Sequence, residues 1–134
     1  IRAAVAELFL CLDCRAHFLA LFDDCGFDWC HVRSHASLQL WLFHVHNFVT
    51  LRVRAEQRSQ DVVASLSGAQ TRDLLWPSAS ACPLCFNSTA LTSPGPDAVL
   101  GAVAMYRSRV QPAANEAAVL SFLRLHYGSS PTTR

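Results

Sequence analysis

The chain of 134 residues carries a net charge of +1, and 51% of its residues are hydrophobic. This length and composition suit one domain with a real core, and the near-neutral charge excludes a broad basic surface for nucleic acid. No apolar run reaches the roughly 20 residues that cross a bilayer. The chain begins at Ile1 without a methionine or a signal peptide, so we expect a fragment or a processed piece of a longer protein.

The first predicted helix leads into a pair of cysteines. Its apolar residues recur at helical spacing, at Ile1, Val5, Leu8 and Leu12. Cys11 and Cys14 lie three positions apart, so at a helix start they are close enough to form and break a disulfide, and His17 lies one turn further on the same side. The pattern predicts a reactive dithiol beside an imidazole. Either one helix runs through this region, or a second begins at the cysteine pair.

Residues 23–37 are predicted to form a polar loop inserted between two helices, with Cys25 and Cys30 closing a short ring. The strongest helix prediction covers residues 38–54. One apolar stripe passes through Trp41, Val45, Val49 and Val53, and a second, mixed stripe passes through Phe43, His46, Asn47 and Thr50. The mixed stripe suits a ligand. The alternative is that His46 and Asn47 are ordinary buried polar residues bonded to the backbone.

Residues 55–66 extend this helix or begin another, and Gly68 is predicted to end it. The Trp76-Pro77 dipeptide ends any helix, because the residue before proline disfavours the helical conformation. Residues 88–96 are predicted to be a loop.

Two helices are predicted in the C-terminal part of the chain. Asp97 is expected to cap the first, which Pro112 ends and whose apolar positions are Val99, Val103, Tyr106 and Val110. Asn115 is expected to cap the second, which Gly128 ends and whose stripe is Val119, Leu123 and His126. We expect the tail 129–134 to be disordered. No strand pattern or repeat is present, so the predicted fold is all-α, a small bundle of four or five helices.

The six cysteines form three local pairs, Cys11/Cys14, Cys25/Cys30 and Cys82/Cys85. Close pairs indicate disulfides in an oxidising compartment, a redox relay or thiolate metal sites. The two C-x-x-C pairs are about 70 residues apart, unusually far for a compact zinc site, so zinc is the less favoured alternative. The sequon at Asn87 adds a weak indication of the secretory pathway.

The redox interpretation of Cys11/Cys14 is chemically specific. A thiolate is the nucleophile in disulfide exchange, and a helix N-terminus lowers the pKa of a cysteine by stabilising negative charge. Arg15 and His17 add polar groups nearby. Since no amino-acid side chain is a two-electron chromophore, a dithiol that passes electrons onward requires an organic cofactor.

An ordered set of motifs resembles the Erv/ALR flavin domain of quiescin sulfhydryl oxidases. The motifs are CLDCRAHF at 11–18, WLFHVHNFVT at 41–50, Trp76-Pro77 ahead of CPLC at 82–85, and FLRLHYG at 122–128. This resemblance implies an FAD-dependent thiol oxidase that makes disulfides and reduces O2 to H2O2. It also implies that Cys14 lies next to the flavin and that Cys11 exchanges electrons with a dithiol on a thioredoxin-like domain, or with other reduced protein thiols.

The resemblance also implies which residues contact FAD. His17, Phe43, His46, Asn47 and Trp76 fall at positions where the family binds the cofactor, and Asp13, His44, Val45 and Thr50 are weaker candidates; the family usually has Asn at the position of Thr50. Cys82/Cys85 matches an extra pair that we expect to be structural. No metal or nucleic acid is expected as a partner.

The resemblance covers residues 1–128, with insertions near 23–37 and 87–114, and the family's first helix would precede Ile1. The paired cysteines and the sequon together favour a secretory-pathway location, with Asn87 as the glycosylated residue. The alternative function is a non-catalytic, disulfide-stapled helical module with an incomplete flavin site. Colour distinguishes the two, because a flavoprotein is yellow.

Overall fold

A computed structural model describes residues 1–58, 66–91 and 102–128. In these ranges the regular structure is helical, apart from an isolated antiparallel bridge between Phe86 and Ala114. The predicted all-α class is confirmed. The chain divides into two compact units, Ile1–Trp41 and Leu42–Arg134.

The first unit begins with two helices, α1 (Arg2–Leu8) and α2 (Leu12–Asp23). A separate helix therefore begins at the cysteine pair, which was one of the two predicted alternatives. The Arg15 guanidinium donates a hydrogen bond to the carbonyl oxygen of Ala6 at 3.1 Å, and Arg2 donates two bonds of 2.7 Å to the carboxylate of Asp23. The Arg2 guanidinium holds the pKa of Asp23 below its usual value. These contacts fix α2 against α1.

The segment after α2 is more ordered than the predicted polar loop. Residues Gly26–His31 form 3₁₀ turns that are interrupted by left-handed backbone at Phe27 and Asp28. The ring of Trp29 lies 4.2 Å from Phe22 and 4.6 Å from Trp41, measured between centroids. The indole N–H of Trp41 donates to the carbonyl oxygen of Gly26 at 2.9 Å. The stretch lies between two helices, as the sequence predicts, and its polar average concealed one large aromatic anchor.

Helix α3 (His35–Arg58) begins three residues before the predicted start at Leu38. The hydroxyl of Ser34 accepts the backbone N–H of Ser37 at 3.0 Å, as a capping side chain does. The predicted extension is present as far as Arg58, and residues 59–65 lie outside the described ranges.

The buried face of α3 differs from the predicted apolar stripe. Trp41 and Val45 are buried, but Val49 and Val53 are 38% and 37% exposed. Each four-residue step rotates about 40° around a helix, so a stripe of this spacing drifts out of the core. The buried face of α3 in the second unit instead passes through Phe43, His44, Asn47, Phe48, Leu51 and Ala55.

Helix α4 (Gly68–Leu74) was not predicted, and the prediction that Gly68 ends a helix was wrong. Ser67 and Gln70 form a capping box, in which Ser67 Oγ accepts the N–H of Gln70 at 3.2 Å and Gln70 Oε1 accepts the N–H of Ser67 at 2.9 Å. This reciprocal pair starts a helix at Gly68. The predicted break at Trp76-Pro77 is confirmed, since α4 ends at Leu74.

Three further helices follow: α5 (Ser88–Leu91), α6 (Ala102–Met105), which continues as a π-helix over Tyr106–Val110, and α7 (Glu116–Tyr127). Residues 88–91 are thus helical where a loop was predicted. The predicted cap of the last helix is confirmed, because Asn115 Oδ1 accepts the N–H of Ala118 at 3.2 Å. Asp97, Val99 and the tail 129–134 lie outside the described residues. No helix in the described ranges has both the length and the hydropathy to cross a membrane.

Candidate active site

The Cys11–Cys14 disulfide lies at the surface of the first unit, at the N-terminus of α2. Cys11 is the N-cap residue in an extended conformation, and its Sγ accepts the backbone N–H of Cys14 at 3.2 Å. Both cysteines are exposed. A sulfur held at a helix N-terminus by a backbone donor is stabilised as a thiolate after the disulfide breaks. The pair is therefore accessible to a donor thiol, and the backbone donor stabilises the thiolate of Cys11.

The other predicted site residues of the first unit lie on the same turns of α2. The His17 ring donates through Nδ1 to the carbonyl oxygen of Asp13 at 2.8 Å, because a carbonyl only accepts. In neutral His17 this leaves Nε2 as an acceptor. Asp13 and His17 are both exposed, so α2 presents a carboxylate and an imidazole on the turns that carry the disulfide.

In the second unit, Asn47 joins α3 to the backbone of Trp76. Its amide nitrogen donates to Trp76 O at 2.8 Å and to Phe43 O at 3.2 Å, and its Oδ1 accepts the N–H of Trp76 at 2.7 Å. Asn47 is 0% exposed. Of the two sequence alternatives, the structure shows a buried amide bonded to backbone, and these bonds fix the position of Trp76.

His44 is also buried and has polar partners on two other elements. Its Nδ1 lies 2.7 Å from the hydroxyl of Tyr106 and its Nε2 lies 3.1 Å from a carboxylate oxygen of Glu116. In the simplest arrangement Nε2–H donates to Glu116 and Nδ1 accepts from Tyr106. Burial raises the pKa of Tyr106 above its ordinary value. The three side chains therefore tie α3 to the π-helix and to the start of α7.

An accessible group of aromatic rings surrounds Trp76 in the second unit. We call it the aromatic platform: His46, Trp76, Phe122, His126 and Tyr127, each exposed or half-buried. The Trp76 ring lies 5.7 Å from His46 and 5.8 Å from Phe122, and Phe122 lies 4.4 Å from His126. Exposed aromatic and imidazole rings at such distances suit a flat aromatic ligand.

The remaining predicted contacts of α3 lie around this platform. Phe43 is buried, with its ring 6.5 Å from Trp76, and Val45 is buried as well. The hydroxyl of Thr50 donates to the carbonyl oxygen of His46 at 3.0 Å, within the helix. Among the predicted site residues of the second unit, His46 and Trp76 are thus the two with accessible rings.

The sequence analysis did not identify Phe122, His126 and Tyr127 as site residues. It assigned His126 to an apolar stripe with Val119 and Leu123, but His126 is exposed and lies against Phe122. The available signal was the sequence of α7 itself, in which two aromatic residues and a histidine occur within six positions. Their proximity to Trp76 is a consequence of tertiary packing.

The second C-x-x-C disulfide, Cys82–Cys85, is buried, with 8% of Cys82 and none of Cys85 exposed. Arg72 donates to Cys82 O at 3.0 Å and to Pro77 O at 2.7 Å. The guanidinium of Arg72 also lies 4.8 Å above the ring of Phe86, and burial lowers the pKa of that guanidinium. This pair is enclosed by hydrogen-bonded structure.

The third pair, Cys25–Cys30, is also a disulfide, so all six cysteines are bonded. Among the residues that the structure describes, no group of three or more His, Cys, Asp and Glu side chains is arranged to hold a metal ion.

The chemistry of the aromatic platform fits a flavin dinucleotide, because the flavin and adenine rings of such a cofactor are both flat and have polar edges.

Comparison with known proteins decides the family. The model of the Erv1 / Alr family matches residues 1–67, half of the chain, including the Cys11–Cys14 disulfide and all of α3. The chain belongs to the Erv1/Alr family.

The match over residues 1–67 ends before Trp76, Cys82–Cys85 and α7, whereas a curated relative is similar over more of the chain. Sulfhydryl oxidase 1 of Oryza sativa subsp. japonica is 30% identical over 124 residues, which cover 92% of this chain and 20% of the relative. The chain thus spans about a fifth of that protein's length. No solved structure matches it.

Proposed function

We propose that residues 1–128 are an FAD-dependent thiol oxidase domain, which oxidises dithiols to disulfides and reduces O2 to H2O2. The observation that carries the proposal is the exposed Cys11–Cys14 disulfide at the N-terminus of α2, within the part of the chain that matches the Erv1/Alr family. The name of the rice relative, a sulfhydryl oxidase, supports the same activity.

The proposed reaction begins at the Cys11–Cys14 disulfide. A donor thiolate attacks Cys11 Sγ, so a mixed disulfide forms, the Cys11–Cys14 bond breaks and Cys14 leaves as a thiolate. The donor's second thiolate then attacks the donor's first sulfur, which is bonded to Cys11. This step releases the oxidised donor and the thiolate of Cys11. The chain gains two electrons, and two thiol protons pass to water or to Nε2 of His17. The assignment of Cys11 as the attacked sulfur rests on the family resemblance.

Bound FAD would supply the two-electron acceptor for this reduced pair and a route from it to oxygen. We propose that His46 and Trp76 hold the cofactor through their accessible rings, together with Phe122, His126 and Tyr127. Asn47 orients Trp76 through its backbone bonds. The proposed contacts of Asp13, His17, Phe43, His44 and Thr50 rest on the resemblance.

The proposal extends to the biological setting. The electron donor is a thioredoxin-like domain of the same parent protein or another reduced protein dithiol, and the location is the secretory pathway. Asn87, which is exposed just before α5, is the proposed glycosylation site. Cys82–Cys85 has a structural role in this scheme, because burial prevents a thiol from reaching it.

The first test is a visible absorption spectrum of the purified chain, before and after incubation with FAD and desalting. We expect a retained flavin band and oxygen consumption with dithiothreitol as donor. A chain that remains colourless and consumes no oxygen contradicts the proposed activity of these 134 residues. That result would support the alternative, a disulfide-stapled helical module, and metal analysis of the same sample tests the zinc alternative.

A further inference from the structure

Four large, exposed apolar residues lie next to the Cys11–Cys14 disulfide in the sequence of the first unit. We call them the leucine rim: Leu8, Phe9, Leu10 and Leu12, which are 74%, 48%, 95% and 65% exposed. Water-exposed leucines add nothing to the core of the unit as the structure describes it. A contiguous exposed apolar run beside a reactive group is typical of a surface that binds a partner.

The backbone at the centre of the rim is extended. Phe9 has φ −78° and ψ 113°, and Cys11 has φ −74° and ψ 105°. In the described part of the chain, the N–H and C=O of Leu10 have no backbone partner. The backbone N–H and C=O of Leu10 can therefore pair with the backbone of an extended peptide.

Two carboxylates flank the rim, Glu7 before it and Asp13 after it, and both are exposed. Neither side chain forms an ion pair with another described residue. A partner segment with basic residues on either side of an apolar centre would complement this charge pattern.

We propose that the leucine rim selects the electron donor, by binding an extended apolar segment with basic flanks that carries the donor's cysteine. This inference rests on the proposed thiol oxidase function and goes beyond it, because it makes Leu10 a residue that distinguishes protein dithiols from small thiols. Binding at the rim would hold the donor sulfur beside Cys11 and raise the rate of exchange through proximity.

The test traps the mixed disulfide without flavin or oxygen. Cys14→Ser leaves Cys11 as the one thiol, since the other four cysteines are in disulfides. The probe is a heptapeptide with a central cysteine activated as its thionitrobenzoate disulfide, flanked by leucines and ended by lysines. The Cys11 thiolate attacks the peptide sulfur, the mixed disulfide forms and coloured thionitrobenzoate leaves. A second peptide has serines in place of the leucines, and a third has glutamates in place of the lysines.

We expect the leucine–lysine peptide to react about tenfold faster than the serine peptide, and faster than the glutamate peptide. In the same Cys14→Ser background, Leu10→Ser should remove the advantage over the serine peptide and leave the rate with cystamine unchanged. Leu84→Ser is the matched control, because Leu84 is 74% exposed and lies inside the other C-x-x-C sequence. This control should keep the full advantage.

Equal rates with the leucine and serine peptides, or an advantage that Leu10→Ser preserves, would overturn the proposal. If Leu10→Ser also slows the reaction with cystamine, Leu12→Ser is measured in its place, and an unchanged advantage there overturns the proposal as well. A chain without oxidase activity can still discriminate between the peptides, and an active oxidase can fail to do so. The two proposals therefore fail separately.

Discussion

Two disulfides in this chain close C-x-x-C rings of the same size, with Cα–Cα distances of 5.2 Å for Cys11–Cys14 and 5.4 Å for Cys82–Cys85. The first lies exposed at a helix N-terminus with one backbone donor on sulfur, whereas the second is buried beneath Arg72. Equal spacing thus accompanies opposite accessibility. The surroundings of the two pairs, and not the shared motif, separate a disulfide that can exchange from one that holds structure.

The largest expected difference between the two pairs concerns turnover. Cys14→Ser should lower the rate of oxygen consumption with dithiothreitol by roughly 10³-fold, because no disulfide remains to accept electrons. The double variant Cys82→Ser/Cys85→Ser should keep turnover within about threefold at a temperature where it is folded. An oxygen electrode measures both rates. A loss of the same size in both variants would contradict the separation of roles.

The next prediction concerns stability, and two arginines make a matched pair. Arg72→Met should lower the free energy of unfolding by about 3 kcal/mol, because two buried carbonyl oxygens lose their charged donor. Arg15→Met should cost less than about 1 kcal/mol, since Arg15 is half-buried and donates to one carbonyl at the surface. Urea denaturation measures both values. If Arg15→Met lowers the free energy of unfolding more than Arg72→Met does, the hydrogen bonds of Arg72 do not stabilise the second unit as we propose.

Reduction kinetics compare the two disulfides in one sample. We expect a limiting amount of a phosphine reductant to reduce Cys11–Cys14 about 100-fold faster than Cys82–Cys85, because the buried pair reacts only after local opening. Alkylation at timed intervals, followed by peptide mass spectrometry, measures the two rates. Cys25–Cys30 serves as an internal reference, with Cys30 exposed and Cys25 half-buried. Equal rates in native buffer would show that Cys82–Cys85 is not protected.

The smallest expected effect is the change in stability with pH that the buried hydroxyl of Tyr106 produces. Burial raises the pKa of Tyr106, so above pH 10 the unfolded chain loses the phenolic proton while the folded chain keeps it. The unfolded state then binds fewer protons, and stability falls by up to about 1.4 kcal/mol per pH unit above pH 10, with no such loss below it. Tyr106→Phe should remove this part of the slope. Denaturation midpoints between pH 9 and 11 test the prediction, and an unchanged slope in Tyr106→Phe would contradict it.

Local signals predicted some elements well and failed at others for physical reasons. The Asn115 cap and the break before Pro77 depend on neighbours in the chain, so the sequence showed them. The prediction that Gly68 ends a helix failed because the capping box of Ser67 and Gln70 starts a helix at this glycine. For residues 23–37 the sequence predicted the position between two helices, but not the packing of Trp29 against Phe22, which the polar character of the stretch concealed.

The candidate site likewise has features that the local sequence predicts and features that it does not. The C-x-x-C spacing at a helix start identified the disulfide of Cys11 and Cys14, since both partners lie within one turn. The backbone contacts of Asn47 join residues that are 29 positions apart, and the His44–Glu116 contact joins residues 72 positions apart. No local pattern encodes such pairings.

The helical class, the disulfide partners within each local pair and the family resemblance could be read from the chain, because they depend on spacing along it. Packing set which C-x-x-C pair is exposed, which face of α3 is buried, and that Phe122 and His126 lie near Trp76. Burial and long-range contacts depend on how separate elements pack, and the same residue pattern is compatible with either environment.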